Sequence, residues 1–505
     1  MNDDRFKKAS KNVKYSIIFF VCKTILTFFA RMIFIRTLGS VMLGVNGLFT
    51  NILSMLSLAE LGISFAVGYN LYHPLSQNNY KRISSIMSFY RKAYFAIGCT
   101  VLTAGSILAL FLPAIISNFS EIDNPYLIYF IFLLNTVLSY FIAYKEVLAT
   151  ADQKNYLITR IQGISDIIMN LAQIALLLLT KNYILYLVTQ IAFHLVYRTI
   201  INRVISKKYP EVDFYTKDKL RKEDKETIKT NVKAMFLHKI GDYCVNGTDN
   251  LIISAFINIS MVGIYSNYVT IITLLTTLMT LIFNSIISTI GNIMVTEIKE
   301  KQYASYKKLD VVGYFIVSYI TIILFVILND FIRLWAGDGY VLDFWVVLLI
   351  IFNFYLVGMR IIINAVKSAA GMYKIDRFVP LLQSLVNLVV SLALVNNLGI
   401  LGVIIGTVVS SILVPMIIRP YLVFKYVFEK QFSYYLRRHI IYASLVVAIC
   451  LIMFFIGNII TIDSLILKII VKGLVATVFY SAVVGVVFYK DEAFLEVIKK
   501  IKRNK

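Results

Sequence analysis

Residues 14–39, KYSIIFFVCKTILTFFARMIFIRTLG, form a long apolar stretch with basic side chains inside it. A helix of this length can cross the hydrocarbon core of a bilayer, which is about 30 Å thick. A Lys or Arg near the centre of such a helix costs about 2.5–3.5 kcal/mol, so it usually faces a bundle interior or a water-filled cavity. Lys23 and Arg31 are therefore candidates for a polar cavity, and the alternative is that their long side chains reach the membrane surface.

The same stretch has a counterpart later in the chain. The triplet Asn-Val-Lys at residues 12–14 recurs at residues 231–233, an offset of 219 (231 minus 12), and this offset also pairs Gly44 with Gly263. A constant offset across many residues predicts an internal duplication. Because the two copies contain the same parity of membrane crossings, we expect parallel repeats about an axis along the membrane normal.

Composition identifies the class of protein. The 505 residues are 59% hydrophobic, with a mean hydropathy of +0.77, which is outside the range of soluble domains. The net charge of +22 comes mainly from basic residues in short loops between apolar spans, where they act as topology signals, so we expect no nucleic-acid partner. The cysteines have no CxxC or zinc-type spacing, so we expect buried free thiols, no metal site and no cofactor.

Hydropathy predicts an all-α integral membrane protein with about 14 transmembrane helices. The expected spans are residues 14–39, 41–69, 94–116, 126–149, 157–179, 183–205, 232–257, 262–293, 311–334, 342–364, 378–396, 399–424, 440–460 and 465–489. The loop after the second span is basic, whereas residues 117–125 contain no Lys or Arg, and this asymmetry predicts a plasma-membrane protein with both termini in the cytoplasm. Trp335 is expected at the outer interface, and the basic C-terminal tail is expected on the cytoplasmic leaflet.

The spans divide into two lobes. We predict an N-terminal six-helix lobe at residues 1–206 and a C-terminal six-helix lobe at residues 231–425. A polar cytoplasmic linker with solvated charges is expected at residues 207–230. Residues 426–505 are expected to add two transmembrane helices and the tail.

Several spans carry polar side chains on one helical face. The fifth span has Gln162, Asp166, Asn170 and Gln173, the sixth has Gln190, His194 and Arg198, and the seventh has His238, Asp242, Asn246 and Asp249. The stripes on the fifth and sixth spans have two interpretations. In the first, the polar groups of the two stripes hydrogen-bond one another within the bundle. In the second, Asp166 and His194 line a cavity and bind or transfer protons.

These patterns predict two sets of site residues. The candidate substrate cavity comprises Lys23, Arg31, Lys239, Arg360, Asn246 and Asn250, because unpaired basic groups in a cavity attract an anion such as phosphate. The candidate ion-coupling or gating residues are Glu60, Asp166, His194, Asp242 and Asp249. For Glu60 the alternative is a buried carboxylate capped by Ser or Asn neighbours. The repeat aligns Lys23 with Asp242, and we hypothesise that the two pair in one state of a transport cycle.

An enzyme is not expected. The sequence contains no GxSxG, HExxH or Walker A motif, and its predicted outer loops are short. Two parallel six-helix halves with polar faces suit alternating access, in which the halves rock about a central site. We therefore expect a transporter.

Four segments carry a family resemblance. LGVNGLFTNILSMLSLAELGI at residues 43–63, LYHPLS at 71–76, TDNLIIS at 248–254 and VGIYSNY at 262–268 resemble Wzx-type flippases of bacterial polysaccharide assembly, particularly those of Gram-positive capsule clusters. These belong to the multidrug/oligosaccharidyl-lipid/polysaccharide (MOP) exporter superfamily, whose members have two six-helix lobes and commonly two extra helices.

The resemblance implies a cargo and partners. The cargo would be a polyprenyl-diphosphate-linked oligosaccharide that moves from the inner to the outer leaflet by alternating access, coupled to H⁺ or Na⁺. Membrane lipids, a polysaccharide polymerase and glycosyltransferases would be partners. The alternatives are a multidrug exporter of the same superfamily, with acidic residues in a cavity for cationic amphiphiles, and a scaffold for a membrane assembly complex.

Overall fold

The computed structural model describes residues 2–60, 62–284, 290, 293, 297–372, 375–490 and 494–495. Side chains are described from residue 19 onward, apart from residues 20, 58–59, 231, 233–246 and 284 within those ranges. All regular structure in the described residues is helical, which confirms the all-α prediction.

The helices of the first half are α1 (Asn2–Leu56), α2 (Ile63–Ser76), α3 (Tyr80–Ala109), α4 (Leu112–Ile115), α5 (Pro125–Ile142), α6 (Glu146–Ala151), α7 (Asn155–Thr180) and α8 (Tyr183–Lys208). Those of the second half are α9 (Lys222–Phe256), α10 (Ile259–Asn284), α11 (Lys299–Trp335), α12 (Phe344–Ala369), α13 (Val379–Leu398), α14 (Ile400–Leu413), α15 (Pro415–Val423), α16 (Ser433–Ile459) and α17 (Leu465–Val487).

Among the described residues, 12 helices are long and apolar enough to cross a membrane by length and composition. This count takes residues 21–56 as one span, although Gly39, with φ 77° and ψ −174°, interrupts the regular helix there. It also omits α9, whose side chains at 233–246 are outside the described set. The chain is a multi-pass membrane protein. The prediction of about 14 crossings is larger than this count because it divides residues 14–69 into two spans and includes the span at 232–257.

The ends of the helices follow local sequence signals. Asn79 and Asn182 cap α3 and α8 by accepting backbone hydrogen bonds at 3.1 Å from Arg82 and Leu185. Pro125 lies in the first turn of α5, where the missing N–H is not needed.

The predicted span at 41–69 is not one helix. A 3₁₀ turn at Ser57–Glu60 ends α1, and Gly62, with φ 82°, precedes α2. The left-handed conformation of Gly62 is available to glycine at little cost, so the chain can change direction at Gly62 within an apolar stretch. Hydropathy alone could not reveal this break.

The predicted linker at 207–230 is partly helical. Non-helical chain runs only from 209 to 221, and α9 begins at Lys222. Arg82 of α3 donates to Asp224 through Nε at 3.1 Å and Nη2 at 2.5 Å, and the Asp224 side chain is only 2% exposed. The expectation that all linker charges are solvated was therefore wrong for Asp224, because a cation from a distant helix covers it.

The chain folds into two compact units. The first comprises Met1–Tyr243 and Ile257–Gly263, and the second comprises Cys244–Phe256 and Ile264–Lys505. In the second unit α11 packs against α12, α16 and α17, with the Tyr314 ring stacked 4.0 Å from that of Tyr442.

The repeat-equivalent glycines lie against each other in the first unit. A Cβ on Gly44 would overlap the carbonyl oxygen of Ile259, and one on Gly263 would overlap that of Ser40. The hydroxyls of Ser40 and Ser260 are 2.5 Å apart at the same contact. Glycine is therefore required at both positions for the two backbones to approach so closely.

The expectation of buried cysteines was wrong for two of them, while the placement of Trp335 at the outer interface stays a prediction. Trp335 is 7% exposed and lies beside Phe331 at the end of α11, whereas Trp345 is 60% exposed. Cys22 and Cys99 are free but exposed rather than buried. Sequence periodicity does not reveal which helical faces contact neighbouring helices. The predicted tail helix lies outside the described residues, apart from residues 494–495.

Candidate functional site

The first polar cluster joins α1 to α7. The Lys23 ammonium group donates to Asp166 Oδ2 at 2.7 Å, with side-chain exposures of 51% and 9% respectively. Gly163 allows the helices to pack closely, because a Cβ there would overlap the Phe19 ring. The ionic partner of Lys23 is therefore Asp166, while the side chain of Asp242, its hypothesised partner, lies outside the described residues.

Three of the four side chains of the fifth-span stripe are buried. Asp166, Asn170 and Gln173 are buried on one face of α7, while Gln162 is exposed. Gln173 donates to the backbone oxygen of Tyr186 on α8 at 3.2 Å, and Asn170 donates to the Asp166 backbone oxygen at 2.7 Å. These contacts fix the Asp166 face towards the interior of the unit.

The sixth-span stripe contacts a different helix. The His194 ring is 3.1 Å from Asn135 Oδ1 of α5, and Arg198 donates to the backbone oxygen of Ser139 at 2.7 Å. The interpretation that the two stripes satisfy each other was therefore wrong for these side chains. A helical repeat shows which residues share a face but not which neighbour that face contacts.

Arg31 and Glu60 lie in different surroundings of the first unit. Arg31 is half-buried and lies near Tyr186. The Tyr186 ring packs edge-to-face on the Phe34 ring, with the two centroids 5.3 Å apart. Glu60 accepts hydrogen bonds from the hydroxyls of Ser64, at 2.8 Å, and Tyr94. The Ser64 contact fits the alternative of a carboxylate capped by a Ser neighbour, although Glu60 is half-buried rather than buried.

The second polar cluster lies on α9, α13 and α14 in the second unit. Asp249 is 6% exposed and accepts from Thr407 Oγ1 at 2.8 Å and from Asn387 Nδ2 at 3.4 Å. Thr248 donates to Asn387 Oδ1 at 3.3 Å, and the Val403 carbonyl oxygen lies 3.4 Å from Thr407 Oγ1. Within the described part of the chain, Asp249 has no cationic partner.

Small residues bring these helices together. A Cβ on Gly406 of α14 would overlap Ser391 Oγ of α13, and one on Gly402 would overlap the backbone of Leu394. The close approach of α13 and α14 puts Asn387 within 2.9 Å of Thr407. The sequence pattern identified Asp249 but missed Asn387 and Thr407. The available signal was the amide of Asn387 within the mainly apolar residues 384–395.

Chemically, the second cluster can take up a proton or a small cation. A buried carboxylate without an opposite charge is costly, so it favours protonation or a bound cation. Carboxylate, amide, hydroxyl and backbone oxygens are hard ligands that suit such a cation. The 219-residue offset aligns α1 with α9 and α7 with α13. In the first half these helices hold the Lys23–Asp166 ion pair, whereas in the second half Asp249 has no cationic partner among the described residues.

The other predicted cavity residues are scattered. Arg360 is 6% exposed within the second unit, and its Nη1 donates to the backbone oxygen of Ser411 at 3.4 Å. The Oδ1 of Asn250 is buried and accepts no hydrogen bond from any described residue. The side chains of Lys239 and Asn246 lie outside the described set.

Solved structures share this architecture. The inward closed conformation of the lipid II flippase MurJ matches with a TM-score of 0.68 and 15% identity, over 94% of this chain and 99% of that chain. An inward-facing multidrug resistance MATE transporter of the MOP superfamily matches with a TM-score of 0.59 and 13% identity, over 77% and 92%. The Vibrio cholerae MATE transporter VcmN in its bent form matches with a TM-score of 0.52 and 12% identity, over 87% and 99%.

These similarities show that the chain shares the fold of these solved flippase and transporter structures. Each of these structural neighbours is a flippase or a transporter. No protein-family model and no curated protein matches the sequence. The Wzx-type assignment and the capsule role stay predictions.

Proposed function

We propose that this protein is a flippase for a polyprenyl-diphosphate-linked oligosaccharide in capsule or other surface polysaccharide export. The observation that carries the proposal is the match to a lipid II flippase over 94% of this chain, with a TM-score of 0.68. The two MATE structures match over 77% and 87% of this chain, with TM-scores of 0.59 and 0.52. The higher score and the wider coverage support a lipid-linked cargo over a small drug.

Lys23 and Arg31 are the proposed contacts for the diphosphate. The Lys23 side chain is 51% exposed even though its amine pairs with Asp166, so a phosphate oxygen can compete for that amine. Such competition makes binding reversible, because Asp166 pairs with Lys23 again when the cargo leaves. Arg360 is enclosed in the second unit and would need a rearrangement to reach cargo.

The Asp249 cluster is the proposed ion-coupling site. Its carboxylate is buried among the neutral donors Thr407 and Asn387, so binding of H⁺ or Na⁺ would neutralise it. Neutralisation changes the local charge by one unit inside a low-dielectric interior, which can bias a two-state transporter.

A deletion strain tests cargo and direction together. Loss of the gene is expected to leave lipid-linked repeat units on the cytoplasmic side, protected from an impermeant glycosidase added to spheroplasts. Wild-type protein should restore access, Lys23→Gln should restore it poorly, and Lys81→Gln, an exposed lysine on α3, should restore it fully. Full glycosidase access in the deletion strain would refute the flippase proposal.

Proteoliposomes test the coupling site separately. Flipping is expected to respond to a pH or Na⁺ gradient in wild-type protein and to lose that response in Asp249→Asn. The matched control is Asp338→Asn, whose side chain is 85% exposed. A gradient response that survives Asp249→Asn would remove Asp249 from coupling while leaving the cargo proposal intact.

Multidrug export is the second candidate, favoured by the match to 92% of a MATE transporter. It predicts that the deletion strain becomes sensitive to cationic amphiphiles while its lipid-linked sugars remain normally distributed. The same strain therefore separates the two functions.

A further inference from the structure

The first unit holds a cationic cavity lined by residues other than those of the Lys23 cluster. It has a volume of about 370 Å³ and is lined by Arg91, Lys92, Phe95, Phe141, Tyr144 and Tyr215. This volume lies within the range of about 300–1,000 Å³ typical of small-molecule sites. The lining contains two cations and no carboxylate.

Arg91 is held in an unusual environment. Its guanidinium carbon lies 4.3 Å from the centroid of the Tyr215 ring, and its Nε is buried without a hydrogen-bond partner among the described residues. A basic residue that serves only as a topology signal keeps its head group in water. Arg91 and Lys92 both line the cavity, and an anion there would supply the charge and the oxygen atoms that their donor groups require.

The cavity lies where α3 changes from polar to apolar. Residues 80–92 of this helix include several charged and hydroxyl side chains, whereas 93–109 contain no charged residue. Phe95 is 59% exposed and stacks on Phe141 with centroids 5.2 Å apart. The polar part of the cavity therefore adjoins an apolar, lipid-accessible wall, as expected at a membrane surface.

The linker closes one side of the cavity. Ser88 of α3 donates to the backbone oxygen of Thr216 at 2.7 Å, and Ser84 accepts from the backbone N–H of Asp213 at 2.9 Å. These two bonds bracket Tyr215 and fix its ring over Arg91. The stacked guanidinium keeps its edge available for a planar or tetrahedral oxyanion.

We infer that this cavity binds the phosphate of an anionic membrane phospholipid, with the acyl chains along Phe95 and Phe141. The inference goes beyond the proposed cargo, because it concerns a resident lipid on the outer wall of the first unit. The shared chemistry is an oxyanion, and the apolar wall favours a lipid phosphate over a free one.

The test uses full-length, delipidated protein in a neutral detergent. Short-chain phosphatidylglycerol, phosphatidylcholine and free glycerol phosphate are titrated separately, and the bound molecules are counted by native mass spectrometry. We expect phosphatidylglycerol to fill one site at least about tenfold more tightly than phosphatidylcholine, and free glycerol phosphate to compete weakly. Arg91→Gln should weaken phosphatidylglycerol binding about tenfold, and Lys81→Gln, exposed on the same helix, should not change it.

Each other outcome contradicts part of the inference. Wild-type affinity in Arg91→Gln would overturn the site, and equal affinity for free glycerol phosphate and phosphatidylglycerol would overturn the lipid source. If Arg91→Gln does not yield folded protein, Lys92→Gln decides the question, because that side chain is exposed and its loss leaves packing intact. Unchanged binding in Lys92→Gln would then overturn the inference.

Discussion

The buried ion pair between Arg82 and Asp224 attaches the start of α9 to α3, and Asp224→Asn is expected to release it. The carboxylate accepts two hydrogen bonds from Arg82, and the side chains are 19% and 2% exposed. Charge-assisted bonds contribute about 1.5–3 kcal/mol each, and removing one partner of a buried pair costs about 3–5 kcal/mol. The Arg82 guanidinium can regain some hydration when it loses its partner. We therefore expect Asp224→Asn to lower the free energy of opening the start of α9 by about 2–4 kcal/mol.

Limited proteolysis measures this local cost. Lys225 and Lys229 lie in the first turns of α9, so trypsin can cut there only after the helix end opens. When opening is fast relative to cleavage, the cleavage rate follows the open population, and 2 kcal/mol raises it roughly 30-fold. Glu223→Gln is the matched control, since Glu223 is exposed beside Asp224.

The double variant Arg82→Gln with Asp224→Asn separates lost attraction from an unpaired charge. Replacing both ions by neutral amides of similar shape is expected to recover part of the protection, since no charge is left buried. Cleavage of Asp224→Asn at the wild-type rate would refute the role of this pair in holding α9.

Three further changes test other contacts. Lys23→Asp combined with Asp166→Lys is expected to restore flipping above the level of either single variant, and a double variant no better than the worse single one would exclude the pair from transport. Gly44→Ala is expected to lower the melting temperature, because its methyl group overlaps the Ile259 carbonyl at a cost of about 1–3 kcal/mol, whereas an unchanged value would mean that this contact is absent in solution. Glu60→Gln keeps an acceptor for the neighbouring hydroxyls, so surface polysaccharide should stay normal; loss of export would instead support coupling by Glu60.

Most of the fold could be predicted from the sequence. The expected spans at 157–179, 183–205 and 378–396 correspond to α7, α8 and α13 with ends shifted by three residues or fewer. Hydropathy is a local property, because lipid contacts each span directly and requires every backbone group to be satisfied within its own helix. The same local reasoning identified Asp249, because a carboxylate is costly to bury in an apolar span.

The tertiary structure alone decided which groups meet. Lys23 pairs with Asp166, 143 residues away, and Asp249 meets Asn387 and Thr407 on two later helices. A helical repeat fixes the face on which a side chain lies, whereas its partner depends on how helices rotate and pack against one another. That packing depends on distant small residues such as Gly406, whose effect on α13 appears only once the chain has folded.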